Sequence, residues 1–216
     1  MKRINEFKNQ HKQYGLLRFI LYLAILSLRI FGIKYERYRY MTIPIDYDKQ
    51  LHYWESHNVG DVKELNYDDF KRGDPNVFNE NKMRLYKERF NEVTYHAYGI
   101  FENEILIYSC WISLKELTVA NSNVKCEISP NESLKIDAYC HPAYRGKGIH
   151  GAMNAFRILK ASEFKKDKSV ALVYWLNKPA IKSQLKVGYS IPFSFYVLQI
   201  WGKVLTNFYR KKNLCK

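Results

Sequence analysis

The chain has 216 residues, of which 47% are hydrophobic, 26% charged and 16% aromatic, and it carries a net charge of +14. That length buries enough surface to hold a core without staples, and the composition excludes disordered, collagen-like and coiled-coil chains. Cys110, Cys126, Cys140 and Cys215 form no C-x-x-C pair and no metal-ligand spacing, which argues against a disulfide framework or a zinc site and for reduced thiols in a cytosolic protein.

The charge is unevenly spread. Residues 1–40 hold nine Lys/Arg against two acids, and residues 157–186 hold eight against two. Residues 201–216 hold five against none, while residues 41–156 are mildly acidic, with 13 bases against 17 acids. Basic ends attract polyanions: nucleic acid, anionic lipid or phosphorylated cofactors. The absence of zinc-finger spacing, of an RNA-recognition signature and of aromatics alternating with bases argues against nucleic acid.

Residues 15–33, GLLRFILYLAILSLRIFGI, form the first predicted element. Arg18, Tyr22 and Arg29 share one narrow stripe at helical spacing, and the rest of the circumference is apolar. Arg29 and Ile30 stand where a signal peptide needs small residues, which argues against cleavage. Three readings remain. A span of about 28 Å nearly matches a bilayer, but it would bury two arginines. An interfacial helix on an anionic leaflet accounts for the apolar face and the basic flanks together. An amphipathic helix packed on its own domain is the third. Residues 1–40 thus read as a basic amphipathic segment, possible seat of a peripheral membrane protein on the cytoplasmic side, and residues 41–216 as a single domain.

Further along, 35–45 reads as a strand, 59–66 as another, 67–74 as a short helical turn and 79–92 as a helix with Met83, Tyr86 and Phe90 on one face. Residues 94–101 and 105–114 are apolar, β-branched runs around a Glu102-Asn103-Glu104 turn, a hairpin. Residues 118–130 read as a loop or edge hairpin, 133–140 as a strand, 148–160 as a helix and 170–176 as a buried strand. Asn177 then serves as an N-cap, Pro179 lies in the first turn and Gly188 ends the helix. Residues 189–201 form a last strand or strand pair before a basic tail. The order is that of an α/β fold, a mixed sheet flanked by helices.

The chemistry concentrates in IDAYCHPAYRGKGIHGAMNAF, residues 136–156. A strand runs into Arg145-Gly146-Lys147-Gly148-Ile149-His150-Gly151, where a helix begins. Glycines let backbone N–H groups converge, the helix N-terminus adds partial positive charge, and Arg145 and Lys147 add full charges. This is an anion cradle suited to a pyrophosphate. It is neither a Walker loop nor a dinucleotide fingerprint, because both spacings are absent.

The segment resembles the acetyl-CoA-binding motif of the GNAT acetyltransferase superfamily, [QR]-x-x-G-x-[GA] between a strand and a helix, with Arg145 first and Gly148 fourth. His150 departs from it, standing where Gly or Ala is usual. Asn177-Lys178-Pro179-Ala180 and Val187-Gly188-Tyr189 are similar to the family's later N-x-x-A…GF/GY segment. The resemblance implies a GNAT-like acyl-CoA acyltransferase fold with an additional N-terminal amphipathic helix. It implies acetyl-CoA or another acyl-CoA as cofactor, held by Cys140, the 145–151 loop and Asn177, and a small-molecule primary amine as acceptor. It also implies backbone N–H groups near Cys140 as an oxyanion hole. Asp137 is the candidate base, or an ion-pairing residue; Tyr139 shares its strand. Many members carry a Tyr acid four residues before the Gly of the later segment, where this chain has Gln184; Tyr189 or Tyr139 would have to substitute. Cys140, His141 and His96 read as structural rather than catalytic. The basic, aromatic-rich surface is similar to that of GNAT-like members of surface-polysaccharide assembly, which implies an amino sugar as acceptor. A catalytically degenerate binding module at the membrane is the alternative.

Overall fold

The computed structural model describes residues 16–213 apart from 58 and 120–123, and the Arg18 side chain and Cys215 lie outside the described residues. In chain order, α1 (Leu16–Ser27) passes through a 3-10 turn (Leu28–Phe31) into β1 (Ile33–Pro44). Then come α2 (Tyr47–Glu55), β2 (Val62–Glu64), a 3-10 turn (Asp68–Arg72) and α3 (Glu80–Phe90). The hairpin β3 (Tyr95–Glu102) and β4 (Ile105–Ser113) follows, then the short pair β5 (Glu116–Thr118) and β6 (Lys125–Glu127). β7 (Glu132–Cys140), α4 (Ile149–Glu163), β8 (Lys168–Tyr174) and α5 (Lys178–Val187) carry the motif region, and β9 (Ser190–Ile200), β10 (Lys203–Thr206) and α6 (Phe208–Asn213) complete the chain.

Local chemistry explains most of these boundaries. Asp46 caps α2 by accepting from the Lys49 N–H at 3.1 Å, and Asn79 caps α3 through the Lys82 N–H at 3.2 Å. The β3–β4 turn places Asn103 and Glu104 at φ +47° and +67°, the left-handed pair that a two-residue hairpin requires. Asn177 caps α5 by accepting from the Ala180 N–H at 3.2 Å, and Gly188 ends it at φ +108°.

Two compact units interleave along the chain. The first comprises Met1–Ile43, Thr118–Cys126 and Val170–Lys216, and the second Pro44–Leu117 and Glu127–Ser169. In the first, strands run in the order β10-β9-β1-β8, with β9 antiparallel to both β1 and β10. Its core stacks Tyr40 on Phe193 at 4.5 Å and sets Phe208 edge-on to Phe195 at 4.9 Å. In the second, the order is β7-β4-β3-β2, with antiparallel pairing throughout. There Phe70 lies parallel to Trp111 at 5.6 Å, and Tyr86 closes on both. Among the described residues no helix is long and apolar enough to cross a membrane.

Candidate functional site

The 145–151 loop forms in the second unit as the residue types require. After β7 a 3-10 turn (Pro142–Tyr144) leads to Arg145, and Gly146 and Gly148 take φ +82° and +79°. L side chains rarely adopt this region, and two such turns aim the chain into the first turn of α4. A Cβ on Gly146 would meet nothing within 4 Å, so the cradle there is open. Gly151 has a different reason: a Cβ would come within 2.6 Å of the Tyr53 hydroxyl, so this glycine lets α2 lie close to α4.

An open cavity of about 490 Å³ lies at this loop, lined by Cys140, Arg145, Gly146, Gly148, Ile149, His150 and Gly151, with Ala138 and Tyr144. Lys147, in the same loop, holds its ammonium 4.7 Å over the ring of Tyr144, which lines the cavity. Arg145 donates from Nε to the Cys140 carbonyl at 3.2 Å, which leaves the outer guanidinium nitrogens for a ligand. The N–H groups of Ile149 and His150 open the helix and have no acceptor within it. Side-chain cations and helix N-terminus together make a site for a phosphate-bearing group.

His150, the departure from the motif, is exposed as a residue but turns its Nδ1 to within 2.9 Å of the hydroxyl of the fully buried Tyr108, so the burial that acts on its ring is local to that nitrogen. Burial lowers its pKa, the cations Arg157 and Lys135 lower it further, and the result is about 4. Tyr108 is pushed above the ordinary tyrosine value, chiefly by burial, so its hydroxyl keeps its proton beside the neutral imidazole. His150, Asn154 and Arg157 recur at helical spacing along α4. Both Lys135 Nζ, at 3.4 Å, and Arg157 Nη2, at 2.5 Å, donate to Asn154 Oδ1. Because a lowered histidine pKa means that the unfolded chain binds more protons, stability falls as pH drops from 6.5 towards about 4. Thermal melts of His150→Gln should show a flatter response over that window than the parent chain; identical slopes would disprove the assignment.

Asp137 sits at a β-bulge. Ser109 faces Tyr139 and Trp111 faces Ile136, so two residues of β7 oppose Cys110, and Asp137 takes φ +51°. Its carboxylate accepts from Arg89 Nη1 at 2.8 Å and pairs with Lys82 Nζ at 3.1 Å. Burial pushes the carboxyl up, but the Lys82 and Arg89 charges and hydrogen bonds outweigh it and hold the pKa below the ordinary value. Lys82 and Arg89 escaped the reading of motifs, although both lie on the face of α3 that also carries Tyr86: a buried arginine on an apolar helix face was the available signal.

Tyr139 is buried with its ring edge-on to Phe78 at 5.0 Å, and its hydroxyl has no hydrogen-bond partner among the described residues. Burial, then the Asp74 charge, raises its pKa. Cys140 directs Sγ to the His141 carbonyl at 3.7 Å, and burial raises its thiol despite Arg145, which keeps it protonated. The His141 N–H donates to the Ile107 carbonyl at 2.8 Å and is spent. Asn177 and Tyr189 belong to the first unit, where Asn177 caps α5 and the buried Tyr189 donates its N–H to the Gln184 carbonyl at 3.1 Å. Gln184 is itself buried. Among the described residues no His, Cys, Asp and Glu cluster could hold a metal ion.

No family model and no curated protein matches the chain. Solved structures do. A GNAT-family protein from Novosphingobium aromaticivorans superposes with a TM-score of 0.50 at 12% identity, over 76% of this chain and 65% of its own. A conserved protein from Staphylococcus epidermidis does so with a TM-score of 0.53 at 11% identity, over 80% and 65%. An aminoglycoside N-acetyltransferase solved with CoA gives a TM-score of 0.47 at 12% identity, over 60% and 91%. The chain thus spans just under two thirds of the first two proteins' length. What it shares with the first two is the fold: a mixed α/β, GNAT-like acyltransferase fold, as the motif at Arg145 and Gly148 implies.

Proposed function

We propose that the chain is an acyl-CoA-dependent N-acyltransferase that moves an acetyl group from acetyl-CoA to a primary amine, an amino sugar of a surface-polysaccharide pathway. In this reading residues 41–216 are the acyltransferase domain, and the basic segment 1–40 seats it on the inner face of a membrane. One observation carries it: the open, cationic cavity at Arg145, Gly146 and Gly148, lined also by the first residues of α4. The residues fit the diphosphate of CoA. Arg145 and Lys147 supply the charge, the left-handed glycines leave room for phosphate oxygens, and neutral His150 adds no charge of its own.

Acyl-CoA, when bound, supplies an activated acyl group as its thioester. The chain's own residues bind and orient it and manage two protons. The His141 N–H is committed to the Ile107 carbonyl and is not the oxyanion donor. Asp137, put forward as the base, is tied to two cations that lower its proton affinity; we assign it the holding of the bulge that shapes the cavity wall at Ala138 and Cys140. Tyr139 and Tyr189 remain the candidate acids, and Asn177 a contact for the cofactor arm. Gln184, which has no titrating proton, favours a second reading, a binding module without turnover. Thiol release from acetyl-CoA across a panel of amino sugars, polyamines and peptides decides between them. Turnover with any amine supports the enzyme, and CoA binding without turnover across the panel supports the module.

A further inference from the structure

The N-terminal helix packs the opposite way round from a water-facing helix. Tyr22, Ile25 and Leu26 of α1 and Arg29 of the 3-10 turn line a cavity with Glu36, Tyr38 and Tyr174 of the same unit. Arg29 reaches the buried Glu36 carboxylate at 3.5 Å, and the Tyr38 hydroxyl donates to that carboxylate at 2.8 Å. Arg29 and Tyr38 thus meet on one buried carboxylate beneath the helix. On its other side Ile20, Leu21 and Ala24, continued by Leu28 of the 3-10 turn, are exposed, where a helix bathed in water would carry charge.

The apolar face continues onto a tip. Ile30 is 84% exposed and Phe31 68%. Beside them Trp201, at the β9–β10 turn, is 83% exposed. The indole is held in place: Nε1 donates to the Phe31 carbonyl at 3.1 Å, and the Trp201 N–H donates to the Gly32 carbonyl at 3.1 Å. The ring lies over Gly32, where a Cβ would come within 2.8 Å of Trp201 Cδ1. An exposed tryptophan with its N–H satisfied and its ring fixed presents apolar area with little entropy left to lose.

Charge selects what meets this surface. The first unit has 18 Lys/Arg against two acids, a net of +16, whereas the second has 17 against 19, a net of −2. A second copy would set one strongly basic unit against another. An anionic leaflet is opposite in sign and takes up aliphatic and aromatic side chains at its interface. We infer that the strip formed by Ile20, Leu21, Leu28, Ile30, Phe31 and Trp201 docks the first unit onto an anionic lipid surface, with Trp201 and Phe31 inserted at headgroup depth. This inference rests on the peripheral-membrane reading and adds the tip to it, including a β-turn far from the helix in sequence.

The test uses the full chain with vesicles of phosphatidylcholine, with and without phosphatidylglycerol. The parent chain should sediment with the anionic vesicles. Phe31→Ser combined with Trp201→Ser should weaken that binding by about 10²-fold or more, since each ring forfeits its burial. Its thermal melt serves as the folding control. Trp201→Phe should retain binding but lose the lipid-induced blue shift of tryptophan emission, because Trp54, Trp111 and Trp175 lie elsewhere. If the parent binds and the double variant binds equally, the tip is refuted while the peripheral-membrane reading stands. If the parent binds neither vesicle, both fall. Dimerisation of the parent that the double variant abolishes would also overturn the inference, making the strip a self-association surface.

Discussion

Gly148→Glu should abolish CoA binding, raising Kd by about 10²-fold or more. Three effects act together. Gly148 takes φ +79°, where an L residue costs about 1–2 kcal/mol. A Cβ there would touch the His57 ring at 3.4 Å, which leaves the new side chain little freedom to turn towards α2. Its carboxylate would then share the cradle with the diphosphate, like charge against like charge. Gly146→Ala separates these contributions, since Gly146 has the same backbone conformation, at φ +82°, with nothing within 4 Å of a Cβ. That variant should keep most of its affinity. Titration calorimetry with CoA reads both, and unchanged affinity in Gly148→Glu would remove the loop from the site.

The glycine loop was legible because backbone geometry leaves a sequence trace: only glycine takes φ near +80° cheaply, and two such glycines ahead of a helical pattern define the turn. The same holds for Asn177 and Gly188 around α5, and for the β3–β4 turn. Side-chain partners over long separations leave no such trace. Nothing near Asp137 in sequence points to Lys82 and Arg89, about fifty positions away. Nor does the periodicity of residues 15–33 say which face packs; the stripe of Tyr22 and Arg29 is visible, but its inward direction depends on Glu36 and Tyr38 of β1. The helix α2 was missed although Asp46 caps it and Tyr47, Leu51 and Trp54 share a face. Its fully buried residue is Gln50, so polarity masked the period. The six residues of α6 were hidden inside a basic tail, where the buried Phe208 was the one apolar clue.

The second large effect is on stability, at the Asp137 ion pair. Arg89 is 8% exposed, its guanidinium stacked 5.2 Å from the Trp111 ring and 5.5 Å from that of Tyr86. Asp137→Asn would leave that cation and Lys82 without their carboxylate in a largely dry setting. Breaking such a pair from one side costs about 3–5 kcal/mol, so Tm should fall by about 6–20 °C. Adding Arg89→Met should restore part of the loss, because the uncompensated charge goes with it. The pH dependence has a definite sign. The folded carboxyl has a lowered pKa, so its contribution is complete above 3.8, the ordinary value, and is lost as pH falls through the folded one. Asp137→Asn should therefore flatten the acid limb of the stability profile and leave the neutral region uniformly lower. The same variant separates the two roles open to Asp137. A residue that holds the bulge loses Tm, while kcat measured well below the melt changes little. A general base loses about 10²-fold or more in kcat as well. An unchanged melt would show that the ion pair does not anchor β7.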